Sequence, residues 1–197
     1  VASFCHLISV KRVFYILGFK ISKSNETRID SYITDCQTTL NTDEKLEKLF
    51  KKLQEEILND IKNNKDDISN SFNHDIDLLF EDKETNIIYY LEIKYNDDHD
   101  TGKFIDINRK FIKTFAYLSN EFKEVEIIPI LFFFNNKKMK GNIYVPESSN
   151  IRRGKRFFDE FLSIKYDDVD NYLQNLSEST DVIKMFDDLY KKVMSIK

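Results

Sequence analysis

From residue 42 onward the apolar positions follow two periods. Leu46, Leu49, Phe50, Leu53, Ile57 and Ile61 recur every three or four residues, which predicts a helix capped by Asn41 or Thr42 and ending near 63–65. Ile76, Leu78 and Phe80 then alternate with Asp75, Asp77 and Leu79. Past a turn-like 82–86, Ile87, Tyr89, Leu91 and Ile93 alternate with Ile88, Tyr90, Glu92 and Lys94, so an antiparallel hairpin is expected. A polar loop at 96–102 leads into Ile107, Phe111, Phe115, Leu118 and Phe122, again at helical spacing. The nearly unbroken apolar run 125–134 contains Pro129 and reads as a buried strand. A basic turn at 135–142 and a short strand at 143–145 follow it. From about Arg156 to Ser195 two or three amphipathic helices are expected. The first forty residues are less patterned: 13–21 fits a strand or a short helix, and 22–28 reads as a polar break. The order helix, strand, strand, helix, strand, strand, helices predicts an α/β (α+β) fold, a central mixed β-sheet flanked by helices.

Composition narrows the class. A chain of 197 residues fits one domain: an N-terminal segment (1–40), a core (about 41–150) and a helical C-terminal part (151–197). Hydrophobic residues at 41% and charged residues at 32% allow a sizeable core, and 4 Gly with 2 Pro exclude collagen-like or linker-rich architecture. Cys5 and Cys36 match no zinc spacing or disulfide framework, which points to a reducing, cytoplasmic setting. No membrane partner is expected, because the apolar stretch 13–19 is short and bracketed by Lys11, Arg12 and Lys20.

Charge adds a direction. The net charge of -4 excludes a wholly basic nucleic-acid-coating protein. Residues 75–100 nevertheless carry nine acidic side chains against Lys83 and Lys94, whereas 137–156 carry seven basic ones against Glu147. An acidic centre beside a basic rim suits a metal site that receives a polyanion; ordinary surface scatter gives the same balance.

The chemistry concentrates on the hairpin. Strand side chains alternate, so Glu92 and Lys94 project together while Ile93 is expected to point into the core. Asp75 and Asp77 share one face of the neighbouring strand. A hairpin can thus bring an Asp, a Glu and a Lys together, and two converging carboxylates repel one another unless a cation intervenes. Mg²⁺ is satisfied by one or two carboxylates plus water and phosphate oxygens. Glu92 is costly on an otherwise apolar strand without such a partner; an ion pair with Lys94 is the plainer alternative.

Asp77, fourteen residues, then Glu92-Ile93-Lys94 resembles the motif of the PD-(D/E)XK nuclease superfamily. The run YLEIKYNDDHDTGKFIDINRKFIKTFAYL (90–118) is similar to a block of type II restriction endonucleases of the Hinf-like group, and NIRRGKRFFDEFLSIKYDDV (150–169) is similar to that group's C-terminal half. The resemblance covers roughly 45–170. It implies a Mg²⁺-dependent, site-specific endonuclease that cuts double-stranded DNA at a short palindromic or interrupted-palindromic site, leaving 5′-phosphate ends. Carried over, Asp77, Glu92 and the backbone carbonyl of Ile93 hold the metal, and Lys94 is the catalytic lysine. Ile76 stands where the family has Pro, which leaves Asp75 as a competing ligand.

Supporting candidates are weaker. Glu55 and Glu56 lie on the preceding helix, where superfamily members often place a Glu, and solvated helix faces carry Glu too. His99 belongs to a loop that either touches DNA, orients the water or merely positions the next helix. Lys103, Arg109, Lys110 and Lys113 span one helix and cannot all share a face. Arg152, Arg153, Lys155 and Arg156 around Gly154 form the most plausible phosphate or base-edge contact segment.

Three other functions compete. They are a DNA repair or junction-resolving nuclease of the same fold, a nucleotidyltransferase reading of His74-Asp75-Ile76-Asp77, and a non-catalytic DNA-binding protein. A palindromic site presents two equivalent scissile phosphates, so a homodimer is expected. Phe157, Phe158, Phe161, Tyr172, Phe186 and Tyr190 are candidate interface residues, although such residues are more often core.

Overall fold

The computed structural model describes residues 8–11, 19–39, 42–63, 68–72 and 75–195; the 13–18 stretch, Asn41, His74 and Cys5 discussed above lie outside them. In chain order the elements are β1 (Ile8–Lys11), β2 (Phe19–Ser22), α1 (Lys23–Thr38), α2 (Asp43–Asn63), β3 (Ile68–Phe72), β4 (Leu78–Asp82), β5 (Ile87–Lys94), α3 (Thr101–Glu121), β6 (Glu126–Phe133), β7 (Ile151–Arg153), α4 (Gly154–Phe161), α5 (Tyr166–Glu178) and α6 (Thr180–Met194). The described residues up to Gly154 form one compact unit, and those from Lys155 onward form another.

The first unit is built on a mixed five-stranded sheet in the order β1-β4-β5-β6-β7. The β1–β4 and β4–β5 pairs are antiparallel, and the β5–β6 and β6–β7 pairs are parallel. A parallel pair requires a crossover, and α3 supplies the one between β5 and β6. One face of the sheet, with Leu79, Ile88, Tyr90, Ile127, Leu131 and Phe133, joins Ile107, Phe111, Phe115 and Leu118 of α3 and Ile29, Ile33, Phe50 and Ile57 of α1 and α2 in a single core. The Tyr90 and Phe111 rings stack there at 5.4 Å, and each such fully buried side chain contributes on the order of 1.5–3 kcal/mol. Pro129 fits inside β6 for a definable reason. Leu131 donates its N–H toward the β7 side, to Asn150 O, so Pro129, two residues earlier, faces the same side. The β6–β7 ladder begins only at Leu131, and no donor is needed at Pro129; its carbonyl accepts from Asn150 Nδ2 at 2.8 Å.

Three expectations change. The polar break at 22–28 is the start of a helix: Ser22 caps α1 by accepting the Asn25 N–H at 3.1 Å and donates to the buried Asp60 carboxylate at 2.7 Å. Its polarity serves capping, not a loop. The 143–145 stretch is bent rather than a strand, because Asn142 Oδ1 accepts the N–H groups of both Tyr144 and Val145. Tyr144 and Val145 are apolar because they anchor in the core, where Tyr32 Oη donates to Tyr144 O at 2.8 Å. The strand beside β6 is instead β7. A separate two-stranded sheet of β2 and β3 was not anticipated.

The helical tail expected from Arg156 is present as α4, α5 and α6. Phe157 and Phe161 pack at 5.1 Å, and Phe158 meets Tyr166 edge-on at 5.5 Å. Tyr172, Phe186 and Tyr190 are exposed. No helix among the described residues is long and apolar enough to cross a membrane.

Candidate active site

The hairpin expected from alternation forms, and its register builds the site. Leu78 pairs with Leu91, and one further step places Asp77 opposite Glu92. At that step the ladder is closed by a side chain: the Ile93 N–H donates to Asp77 Oδ2 at 2.7 Å. At the other end Asp82 shapes the turn, accepting the Glu84 N–H and the Thr85 hydroxyl, and Asn86 takes the positive φ of 55° that the reversal needs.

The faces are the reverse of the expectation for Ile93. Glu92 is only 4% exposed and Ile93 is 37% exposed, because Glu92 and Lys94 continue the Ile88–Tyr90 face that packs beneath α3. The carboxylate is therefore held at the edge of the core and is tightly partnered. Lys94 Nζ donates to Glu92 Oε1 at 2.5 Å, lies 3.7 Å from Asp77 Oδ2, and donates to Ile93 O at 3.0 Å. One ammonium group thus sits between two carboxylates on one side of the sheet. That donor set, two carboxylate side chains beside a carbonyl, fits a small hard cation completed by water and phosphate oxygens. It does not fit a closed protein cage, since no group of three or more His, Cys, Asp or Glu able to hold a metal occurs among the described residues.

Behind Glu92 lies a residue that sequence reasoning missed. Tyr90 is fully buried and its hydroxyl donates to Glu92 Oε2 at 3.4 Å. Burial, then the neighbouring Glu92 charge, raises the phenol pKa well above its usual value, so Tyr90 stays protonated and can donate to Glu92. The available signal was period two: Tyr90 shares the Glu92 face. Changing Tyr90 to Phe keeps the ring on Phe111 and removes the donor. If Glu92 ligates a metal, that metal's apparent affinity is then expected to fall about tenfold, as when other partners that orient metal ligands are lost. An unchanged metal titration would contradict that role.

The supporting candidates separate. Glu56 is tied to Arg28 and Lys52 at 3.4 and 3.7 Å, Glu55 is exposed on the same helix, and no described contact brings either to Asp77 or Glu92. Asp75 is exposed just ahead of the site. His99 is partly buried, and its Nε2 has no hydrogen-bond partner among the described residues. Burial, then the charges of Lys103 and Lys94, lowers its pKa, which favours the neutral imidazole. Its neighbour Asp100 caps α3, accepting the Lys103 N–H at 2.9 Å.

Among the cations, Arg109 pairs with Asp30 at 2.8 Å, Lys110 with Asp106 at 3.0 Å and Lys113 with Glu26 at 2.6 Å. Lys103 is exposed on the first turn of α3. Arg152 is buried and donates to Ser149 O and Ile151 O. Arg153 is buried over the Phe133 ring and bonded to Glu147 and Asp97. Lys155 and Arg156 are exposed.

The profile of the type II restriction endonuclease family HinfI matches residues 6–177. The type II restriction enzyme HinfI of Haemophilus influenzae is 64% identical over 181 residues, which cover 91% of this chain and 66% of that enzyme. The chain thus spans about two thirds of the length of the relative it matches. No solved structure matches it. With a family match across most of its length and a hairpin that carries an Asp, a Glu and a Lys on one face, the chain belongs to the HinfI family of type II restriction endonucleases.

Proposed function

We propose that the chain carries the catalytic centre of a Mg²⁺-dependent type II restriction endonuclease that acts in the cytoplasm and cleaves double-stranded DNA at a short palindromic or interrupted-palindromic site, leaving 5′-phosphate ends. The observation that carries this reading is the Lys94 ammonium held between Asp77 and Glu92 on one face of the hairpin. Asp77, Glu92 and the Ile93 carbonyl would hold the metal. When bound, it supplies Lewis-acid stabilisation of charge on the phosphate and on the leaving oxygen. Water attacks phosphorus in line and the bond to the 3′ oxygen breaks, leaving a 3′-hydroxyl and a 5′-phosphate. Lys94 orients that water and offsets charge on the phosphate through its ammonium group. Tyr90 steadies the Glu92 carboxylate from behind, at the edge of the core. Lys103, Lys155 and Arg156 are the exposed members of the expected DNA-contacting set and the best phosphate contacts within it.

Plasmid DNA incubated with the protein and Mg²⁺ should give discrete bands, and none in the presence of a chelator. A smear, or cleavage confined to branched or damaged DNA, would favour a repair or junction-resolving enzyme. Lys94→Ala should slow turnover about a hundredfold while Mg²⁺-dependent DNA binding is largely kept, since its contribution is made in the transition state. Equal losses of binding and turnover would make Lys94 a phosphate clamp instead.

A palindrome is matched most economically by a two-fold homodimer. Sedimentation of the DNA complex should show two protomers per cognate duplex; one protomer cutting both strands at equal rates would defeat the dimer.

A further inference from the structure

The chain beyond β6 is held beside the candidate site by a buried carboxylate that the chemistry above does not use. Asp97 has a fully buried side chain. Its Oδ1 accepts the Met139 N–H at 2.9 Å, and its Oδ2 accepts the Gly141 N–H at 2.8 Å and Arg153 Nη2 at 3.0 Å. Burial raises the Asp97 pKa, but the two backbone N–H groups and Arg153 outweigh it and leave the carboxyl below its usual value. The start of the same segment is stitched to the strand end that bears Lys94: Phe134 N donates to Lys94 O and Asn135 N to Tyr95 O, at 2.9 and 2.7 Å. Lys140 Nζ reaches Asp98 and His99 O, both at 2.9 Å.

The segment so held buries little of its own. Lys137, Lys138, Met139 and Lys140 are all exposed. Gly141 takes φ 80°, and a Cβ there would come within 2.6 Å of Lys138 Cε, so the loop is closed tightly enough for the Lys138 side chain to cross it. Lys137 has no acidic partner among the described residues, and Lys138 lies 3.4 Å from Glu147. Burying a charge is costly unless it is fully bonded. Here a buried charge is committed to the shape of an exposed, lysine-bearing loop: the backbone N–H groups of Met139 and Gly141 are drawn inward onto Asp97, while Lys137 and Lys138 remain exposed.

We propose that residues 135–141 form a preformed phosphate-gripping loop that holds the DNA backbone next to Asp77, Glu92 and Lys94, with Lys137 and Lys138 as its contacts and Asp97 as the positioning residue that keeps its shape. The proposal rests on the endonuclease reading, because it takes the polyanion at this edge to be DNA.

The test is binding of a fluorescent DNA duplex without divalent metal, measured across a range of KCl concentrations, with cleavage assayed in parallel. Lys137→Gln with Lys138→Gln should lower the slope of log affinity against log salt by about two and weaken binding about tenfold or more near 0.1 M salt. Two exposed lysines of α2, changed as Lys51→Gln with Lys62→Gln, should leave the slope as it is. Asp97→Asn should speed amide exchange at Met139 and Gly141 and weaken DNA binding several-fold. A wild-type slope in the loop variant of a protein that cleaves DNA would overturn the proposal, as would an equal drop in the α2 control. Unchanged affinity in Asp97→Asn, with its loop amides exchanging faster, would overturn the positioning role. Loss of slope in the loop variant of a protein that fails to cleave would retain the loop and defeat the endonuclease reading.

Discussion

Changing Glu92 to Gln is expected to lower DNA cleavage roughly a thousandfold, the scale seen when one preorganised electrostatic group is lost from an active site, while the protein still binds DNA. The substitution keeps the shape of a side chain that is 4% exposed and removes only its charge. It takes away both the proposed metal ligand and the 2.5 Å ion pair to Lys94. Asp77→Asn should behave alike, since its amide oxygen can still accept the Ile93 N–H. Binding without metal should hold or tighten, because each change removes negative charge that would face phosphate. Asp75→Asn should cleave at the wild-type rate, because no described contact ties Asp75 to Glu92 or Lys94, whereas Asp77 accepts the Ile93 N–H and lies 3.7 Å from Lys94 Nζ. A dead Asp75→Asn beside an active Asp77→Asn would keep the fold and move the ligand. Quench-flow or gel-based single-turnover rates on one DNA substrate decide the matter.

The largest effect on stability is expected at Arg153. Its side chain is 10% exposed, lies 5.1 Å over the Phe133 ring, and joins Asp97 to Glu147. Removing one member of such a pair leaves a buried charge behind and costs about 3–5 kcal/mol. Arg153→Leu should therefore melt well below the wild type. The pH dependence follows from Asp97, whose folded pKa lies below the ordinary value of 3.8. A lowered carboxyl pKa stabilises the fold fully above the unfolded pKa and loses that contribution as pH falls through the folded one. Acid unfolding of the wild type should thus draw on Asp97 below about pH 4, and Arg153→Leu should weaken that dependence, because one of the interactions lowering the pKa is gone. Thermal melts of the variant at neutral and acidic pH are the check. A wild-type melting temperature combined with weakened DNA binding would instead place Arg153 on DNA, the role its position in a basic run suggests.

What could be read from the chain depends on how local the cause was. The hairpin and α3 were legible because alternation and helical spacing are set by neighbours a few residues away. Glu92 stood out because a charge interrupts an apolar strand, and its register opposite Asp77 follows from the turn at 82–86. Helix α1 was hidden, since Ser22, Asn25 and Arg28 are polar for capping and for bonding to Asp60, 38 residues from Ser22. Asp97 was equally opaque: its partners Met139 and Gly141 lie 42 and 44 residues away, and an Asp-Asp pair in a polar loop carries no mark of burial. The outward aspect of Ile93 could not be read either. Strand alternation states that Ile93 and Glu92 face opposite ways, but only the placement of α3 decides which of the two lies toward the core.

If Asp77, Glu92 and Lys94 form a metal-dependent, site-specific DNA cleavage centre, digestion of a long natural DNA will reveal it. The protein is incubated with the DNA in Mg²⁺, and the ends of every fragment are sequenced and assayed for phosphate. The ends are expected to align on one short palindromic or interrupted-palindromic sequence, each carrying a 5′-phosphate, and Glu92→Gln is expected to yield none. Ends scattered without a common sequence, 3′-phosphate termini, or undiminished cutting by Glu92→Gln would contradict it.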